Sequence, residues 1–82
     1  MELQIRNTAI YLLDGMKVAG YVSWSRQNDA MIIEHTFVDP AYRGQGLAGR
    51  LMEEVVKKAK GEGWHIVPIC SYAKSYLEKN PM

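Results

Sequence analysis

The residues most able to do chemistry are found in two places: an apolar segment that ends at Val38, and the position of the single cysteine, Cys70. Glu34 and His35 are adjacent on that segment. Histidine titrates near neutral pH, so His35 could pass a proton, and Glu34 is the competing base. Cys70 falls where a last helix would begin, and helix N–H groups there favour the thiolate, the nucleophilic form. Each residue also has a plain structural role open to it: a small buried apolar side chain for the cysteine, and hydrogen-bonded partners for the other two.

A glycine-rich loop follows the apolar segment and has the composition of an anion site. Gly44 and Gly46 can adopt backbone angles closed to residues with a Cβ. Ala48 and Gly49 would keep the first turn of the next helix free of bulk, and Arg43 supplies a fixed charge with several N–H donors. Because main-chain N–H groups and the positive end of the helix dipole converge there, the loop predicts a phosphate-binding site.

The surrounding patterns predict the elements that must position these residues. Alternating or apolar segments predict strands at residues 2–6, 9–13, 17–24, 30–38 and 64–69. Asp14-Gly15 predicts a hairpin turn, and residues 25–29 predict a polar turn. Helical spacing of apolar residues predicts helices at 46–60 and 71–79, the first ending at the glycines of 61–63 and the second at Asn80-Pro81.

These elements predict an α+β fold with three layers: an antiparallel meander of about four strands, a crossover helix, a parallel fifth strand and a C-terminal helix. The fourth strand is apolar on both faces apart from residues 34–36, which predicts cover on each side of it. Strict alternation would put Glu34 and His35 on opposite faces. The two could share a pocket only if the strand is bulged.

Composition limits the possible functions. The 82 residues predict one domain, and a net charge of +1 with interleaved signs gives no reason to expect a nucleic-acid or membrane partner. No apolar run could span a bilayer and the first residues lack a signal-peptide pattern, so we expect the protein in the cytoplasm. One cysteine excludes an internal disulfide, and no second Cys or His stands at metal-ligand spacing, so we predict no metal site.

The glycine loop resembles that of a known family. Arg43-Gly44-Gln45-Gly46-Leu47-Ala48 matches the (Gln/Arg)-x-x-Gly-x-(Gly/Ala) signature of the GCN5-related N-acetyltransferases. Glu34-His35-Thr36, Val38-x-Pro40, Pro68-x-Cys70-x-Tyr72 and Asn80-Pro81 extend the similarity toward a small stand-alone branch. The resemblance implies that acetyl-coenzyme A is bound by the loop and its helix, at Val38, Arg43, Gly44, Gln45, Gly46, Leu47, Ala48 and Gly49.

The resemblance also implies transfer of an acetyl group to an amine, with an acceptor that could be a small molecule or a protein lysine. Glu34 would serve as the base, His35 would lie beside the cofactor facing Cys70, and Tyr72 would protonate the leaving thiolate. Alternatively Cys70 would accept the acetyl group first. Only one of Glu34 and His35 need be catalytic.

The chain departs from the usual family plan, because two early helices and the last two strands are missing. Those parts commonly shape the acceptor site. A non-catalytic acyl-coenzyme A binding or interaction module therefore stays open as the alternative. A homodimer that buries a sheet edge also stays open as the oligomeric state.

Overall fold

A computed structural model of the chain describes residues 1–80 and contains a five-stranded sheet with two α-helices. The strands are β1 (Glu2–Ile5), β2 (Ala9–Asp14), β3 (Lys17–Gln27), β4 (Ala30–Val38) and β5 (His65–Pro68), in that spatial order. The first four pair antiparallel, and β5 pairs parallel with β4. The helices are α1 (Leu47–Glu62) and α2 (Ser71–Lys79), and a short 3₁₀ turn at Pro40–Tyr42 precedes α1.

The α+β class, the meander and the crossover to a parallel fifth strand are confirmed. The polar turn predicted at residues 25–29 is wrong in its first half, because β3 continues to Gln27 through cross-strand pairs such as Arg26 with Met31. Stacking of the Arg26 guanidinium 3.5 Å from the centroid of the Trp64 ring favours the longer strand. Asn80 caps α2 as predicted, while Pro81 lies outside the described residues.

Both helices pack on one face of the sheet and share a single core. Leu51, Met52 and Val55 of α1 are fully buried against residues of the sheet such as Val22. Ala73 brings α2 into the same core. No helix among residues 1–80 covers the other face, which we call the outer face, so the described residues form two layers and not the three that were predicted. No helix in the described part of the chain is long and apolar enough to cross a membrane.

A bulge in β4 reverses which side chains face the core. His35 pairs with Ser23 and Ile33 pairs with Trp24, so Glu34 is an extra residue without a partner on β3. Before the bulge the odd-numbered Ile33 is buried in the core, but after it the odd-numbered His35 and Phe37 are exposed on the outer face. The cover expected on both faces of β4 is therefore wrong for this half of the strand.

The pairing of β4 with β5 ends at Ile33 and Pro68. The N–H groups of Ile69 and Cys70 both donate to the Ile33 carbonyl, at 3.1 and 3.3 Å, and the chain then turns away into α2. The rest of β4 has no partner on that side among residues 1–80. A cleft therefore separates the second half of β4 from the start of α2.

Candidate functional site

Two glycines in left-handed conformation shape the loop between β4 and α1. The φ angle is 84° at Gly44 and 73° at Gly46, and Gly46 is the N-cap residue of α1. A side chain at either position would be strained whatever space surrounds it, because left-handed backbone brings a Cβ too close to the main chain. The local sequence therefore fixes this turn, as expected.

The start of α1 presents unpaired main-chain donors. The helix has no side-chain cap and no acidic residue in its first turn. Within residues 1–80, the N–H groups of residues 44–49 have no hydrogen-bond acceptor, and the first helical bond runs from the Arg50 N–H to the Gly46 carbonyl at 3.1 Å. An anion could accept from several of these donors and would also gain from the positive end of the helix dipole.

A cavity of about 230 Å³ lies against this helix end. Val38 and Tyr72 line it on the side of the cleft, and Tyr42 and Arg43 line it on the side of the loop. The residues predicted to bind the cofactor that line this cavity are Val38, Arg43, Gly44, Gly46, Leu47, Ala48 and Gly49. Gln45 is exposed on the loop and does not line it.

A larger cavity of about 310 Å³ lies between α1 and α2, beside Val56 and Tyr76. Its rim is made of exposed or half-exposed charged side chains such as Glu53 and Lys57, and it borders Asn80 at the end of the described residues. It contains neither free main-chain donors of the glycine loop nor any predicted catalytic residue. The smaller cavity is therefore the candidate site.

Tyr42 also lines the cavity and was not predicted as a site residue. Its hydroxyl donates to Asp14 Oδ2 at 2.6 Å, and Lys17 Nζ lies 5.5 Å from the centroid of its ring. The hydrogen bond to Asp14, together with desolvation and the negative charges of Asp14 and Asp39, raises the pKa of Tyr42 above its ordinary value of 10. The hydroxyl therefore stays a donor at neutral pH. In the sequence, the feature that could have indicated a role for Tyr42 at the site is its position directly before Arg43.

Cys70 lies across the cleft from β4. Its Sγ accepts the Ala73 N–H at 3.3 Å, which caps α2, and lies 3.5 Å from Thr36 Oγ1. Thr36 was not predicted as a site residue, and unbroken alternation from the buried Ile33 would have turned it to the outer face. The bulge turns it toward Cys70.

Tyr72 stands in the first turn of α2 between this cleft and the cavity. Its hydroxyl would be 3.9 Å from a Cβ built on Gly49, so it reaches the first turn of α1. Burial first, and the neighbouring Tyr76 second, raise the pKa of Tyr72 above its ordinary value. The phenol is therefore protonated at neutral pH and can donate a hydrogen bond.

The bulge brings Glu34 and His35 to the same outer face. Ser25 Oγ donates to Glu34 Oε2 at 3.4 Å, and Ser25 shares its face of β3 with Ser23, the residue opposite His35. Cys70 lies beside Thr36 on the face that carries the helices. The structure thus brings Glu34 and His35 together but does not bring His35 to Cys70. The expectation from the family resemblance that His35 faces Cys70 is wrong, because His35 follows the bulge and is exposed on the outer face.

Comparison with known proteins decides the family. The family model described as GCN5-related N-acetyl-transferase matches residues 9–82. The chain belongs to this family. The glycine loop that was predicted from its residues lies within the matched segment of this N-acetyltransferase domain.

Solved structures agree with the fold of this N-acetyltransferase domain. A GCN5-like protein from Staphylococcus aureus is 29% identical with a TM-score of 0.79, over 95% of this chain and 78% of that one. The ribosomal-protein-S18-alanine N-acetyltransferase of Escherichia coli is 20% identical with a TM-score of 0.76, over 89% of this chain and 50% of that one.

A Clostridium acetobutylicum protein predicted to be an acetyltransferase, with a crystal structure that includes acetyl-CoA, is 14% identical with a TM-score of 0.68. The match covers 90% of this chain and 56% of that one. The chain therefore spans only about half the length of the Escherichia coli and Clostridium proteins, and its likeness to both is one of fold. No protein of curated function matches the sequence.

Proposed function

We propose that this domain binds acetyl-coenzyme A through the free N–H groups of residues 44–49 and transfers the acetyl group to an amine. The observation that carries the proposal is the run of unpaired donors, which opens into the 230 Å³ cavity at the start of α1. A diphosphate has enough acceptor oxygens to pair with several of these donors at once.

The residues around the cavity fit the coenzyme in chemical type. Arg43 lines it and can add a charge-assisted hydrogen bond to a phosphate oxygen. Val38 and Leu47 give an apolar wall on the side that continues into the cleft, which suits an uncharged thiol-bearing arm. The donors, the charge and the apolar wall all border the same cavity.

Acetyl-coenzyme A supplies an acetyl group activated as a thioester. In our proposal Glu34 accepts the proton of the attacking amine, because its carboxylate is half-buried and oriented by Ser25 at 3.4 Å. Tyr72, protonated at neutral pH, donates toward the departing thiolate from the opposite side of the cleft. His35 lies next to Glu34 and is exposed, so we assign it no proton transfer.

Calorimetric titration with coenzyme A and acetyl-coenzyme A tests the binding site. We expect a saturable heat for the parent protein and at least a tenfold weaker affinity for Arg43→Glu, because the charge reversal opposes the diphosphate. Lys57→Glu makes the same change of charge on the exposed face of α1, away from the cavity, and should alter affinity by less than about twofold. A parent protein without heat of binding for either ligand would overturn the proposal.

Transfer through Cys70 is a second route, favoured by the position of its sulfur in the cleft and by the N–H bond it accepts from Ala73 at 3.3 Å. Intact mass spectrometry after mixing with acetyl-coenzyme A tests this route. A single acetyl group that is absent in Cys70→Ser would support it. If the parent protein stays unmodified but still releases coenzyme A in the presence of an amine, the acetyl group passes directly from the coenzyme to the amine and the Cys70 route is excluded.

A non-catalytic acyl-coenzyme A binding module is the second candidate function. It is favoured by the outer face, where Glu34 and His35 lie without any covering helix among residues 1–80. Release of coenzyme A measured against a panel of small amines, polyamines and lysine peptides separates the two functions. A binding module would show calorimetric affinity without any amine-dependent release.

A further inference from the structure

We propose that Tyr42 is a positioning residue for the diphosphate loop, and that its contact with Asp14 in the β2–β3 hairpin holds the loop ready to bind. This inference rests on the proposed function, since it concerns the same loop and ligand. It adds a second part of the chain to the site, the hairpin at residues 14–17, which no motif of the loop contains.

Tyr42 is held by residues from both ends of that hairpin. Its hydroxyl donates to Asp14 Oδ2 at 2.6 Å across a sequence separation of 28 residues, while Lys17 Nζ lies 5.5 Å from the centroid of its ring. Asp14 and Lys17 are themselves a cross-strand pair at the end of β2 and β3. The anchor therefore belongs to the sheet.

The loop has few other restraints. Asp39 fixes the start of the 3₁₀ turn, since its Oδ1 accepts the Ala41 N–H at 2.9 Å and its carbonyl accepts the Tyr42 N–H at 2.9 Å. Within residues 1–80, the bond from Tyr42 to Asp14 is the last side-chain hydrogen bond along the chain before α1. Beyond it come Arg43 and two left-handed glycines.

A loop with two glycines loses more conformational entropy when it is ordered than one built from other residues. A restraint at its entry removes part of that cost before the ligand arrives, which is the general way in which preorganisation raises affinity. Because the hydroxyl of Tyr42 is already bonded to Asp14, it affects ligand affinity by positioning the loop and not by contacting the ligand. Tyr42 also lines the cavity.

The test compares Tyr42→Phe, Asp14→Ala and the double variant by calorimetric titration with coenzyme A. We expect the two single variants each to weaken affinity by about threefold to tenfold, the range of one ordinary net hydrogen bond. The double variant should be no weaker than Tyr42→Phe, because both changes remove the same bond. Asp14→Asn keeps an uncharged acceptor and should fall between Asp14→Ala and the parent.

Two controls separate positioning of the loop from a general loss of structure. Tyr21→Phe removes a hydroxyl from the outer face, where Tyr21 stacks with Phe37 at 5.5 Å between centroids, and should leave affinity unchanged. Pantetheine lacks the diphosphate, so its affinity, measured by competition, should be the same for the parent and for Tyr42→Phe. Circular dichroism melting shows that each variant is folded at the titration temperature.

Equal affinity of the parent and Tyr42→Phe for coenzyme A would overturn the inference and leave the proposed function intact. Additive losses in the double variant would also overturn it, since they would mean that the two residues act separately. If the parent itself does not bind coenzyme A, the proposed function fails and this inference fails with it. If Tyr42→Phe does not fold, Asp14→Ala and Asp14→Asn carry the same comparison.

Discussion

The position of Glu34 in the bulge makes its side chain available to an acceptor. A bulged residue has no cross-strand partner, and Glu34 accordingly has none on β3. Its carboxylate accepts from Ser25 at 3.4 Å, a long contact that leaves most of its capacity to accept hydrogen bonds unused. A base must reach the proton that it removes, and Glu34 is oriented without being fully occupied.

Glu34→Gln tests this role at the residue scale. The change keeps the size of the side chain and its contact with Ser25 but removes the basic oxygen, so we expect kcat to fall by about a hundredfold or more. The affinity for acetyl-coenzyme A should not change, because Glu34 lies on the outer face and the diphosphate loop lies at the start of α1.

His35→Gln is the matched change at the neighbouring position, and we expect kcat to change by less than about threefold. The measurement is amine-dependent release of coenzyme A, with calorimetry to follow binding. A larger loss in His35→Gln than in Glu34→Gln would reverse the two roles.

At the scale of elements, α1 and α2 begin in different ways, and the difference separates a binding end from a structural one. The N-cap residue of α2 is Cys70, whose sulfur accepts the Ala73 N–H at 3.3 Å. The N-cap of α1 is Gly46, which has no side chain to offer. Helix ends without a partner are costly unless water or a ligand satisfies them, so α1 gains more than α2 from a bound anion.

Substituting the glycines at the two ends of α1 tests the conformation of this element. Gly46→Ala places a Cβ on a residue with φ of 73°, and we expect a loss of about 1–2 kcal/mol in the free energy of unfolding. Gly61→Ala lies inside the last turn of the same helix, where a Cβ meets nothing within 4 Å. It should gain about 0.5–1 kcal/mol.

Urea denaturation followed by circular dichroism measures both changes. The two substitutions are chemically identical, so opposite changes in the free energy of unfolding would reflect the different backbone conformations of the two glycines. A gain in stability for Gly46→Ala would mean that the left-handed turn is not present in solution.

At the scale of the whole molecule, one small core holds the sheet to the helices. Residues that are completely buried come from β2, β3, β4, α1 and α2, and no disulfide can reinforce them because Cys70 is the single cysteine of the sequence. Domains of this size are stable by only a few kcal/mol, so a single steric conflict in the core is a large fraction of the total.

Gly20 is packed tightly between a neighbouring strand and α1. A Cβ there would lie 2.7 Å from the Phe37 carbonyl oxygen and 3.3 Å from Leu51 Cδ1. Because a backbone oxygen cannot easily move, we expect Gly20→Ala to cost about 1–3 kcal/mol and to lower the melting midpoint by roughly 4–8 °C for each kcal/mol.

Saturating acetyl-coenzyme A should restore part of the loss, because the cavity at α1 does not include Gly20 and a ligand of the folded state stabilises by mass action. Differential scanning calorimetry with and without ligand measures both effects. An unchanged midpoint in Gly20→Ala would mean that the Phe37 carbonyl oxygen and the Leu51 side chain lie farther from Gly20 than described.

The sequence by itself determined the features that depend on neighbours along the chain. The Asp14-Gly15 hairpin, the glycine loop and the apolar stripe of α1 were predicted because turn chemistry and helical spacing are local properties. The residues predicted to bind the cofactor are also neighbours along the chain apart from Val38, and all of them except Gln45 line one cavity.

The tertiary structure decided what depends on residues far apart in the chain. The bulge at Glu34 follows from how β4 pairs with β3, and it moved His35 away from Cys70. The bond from Tyr42 to Asp14 joins residues 28 positions apart, so no local pattern could reveal it. Periodicity assigns faces only while a strand stays regular, and a single extra residue, set by the partner strand, reverses every assignment after it.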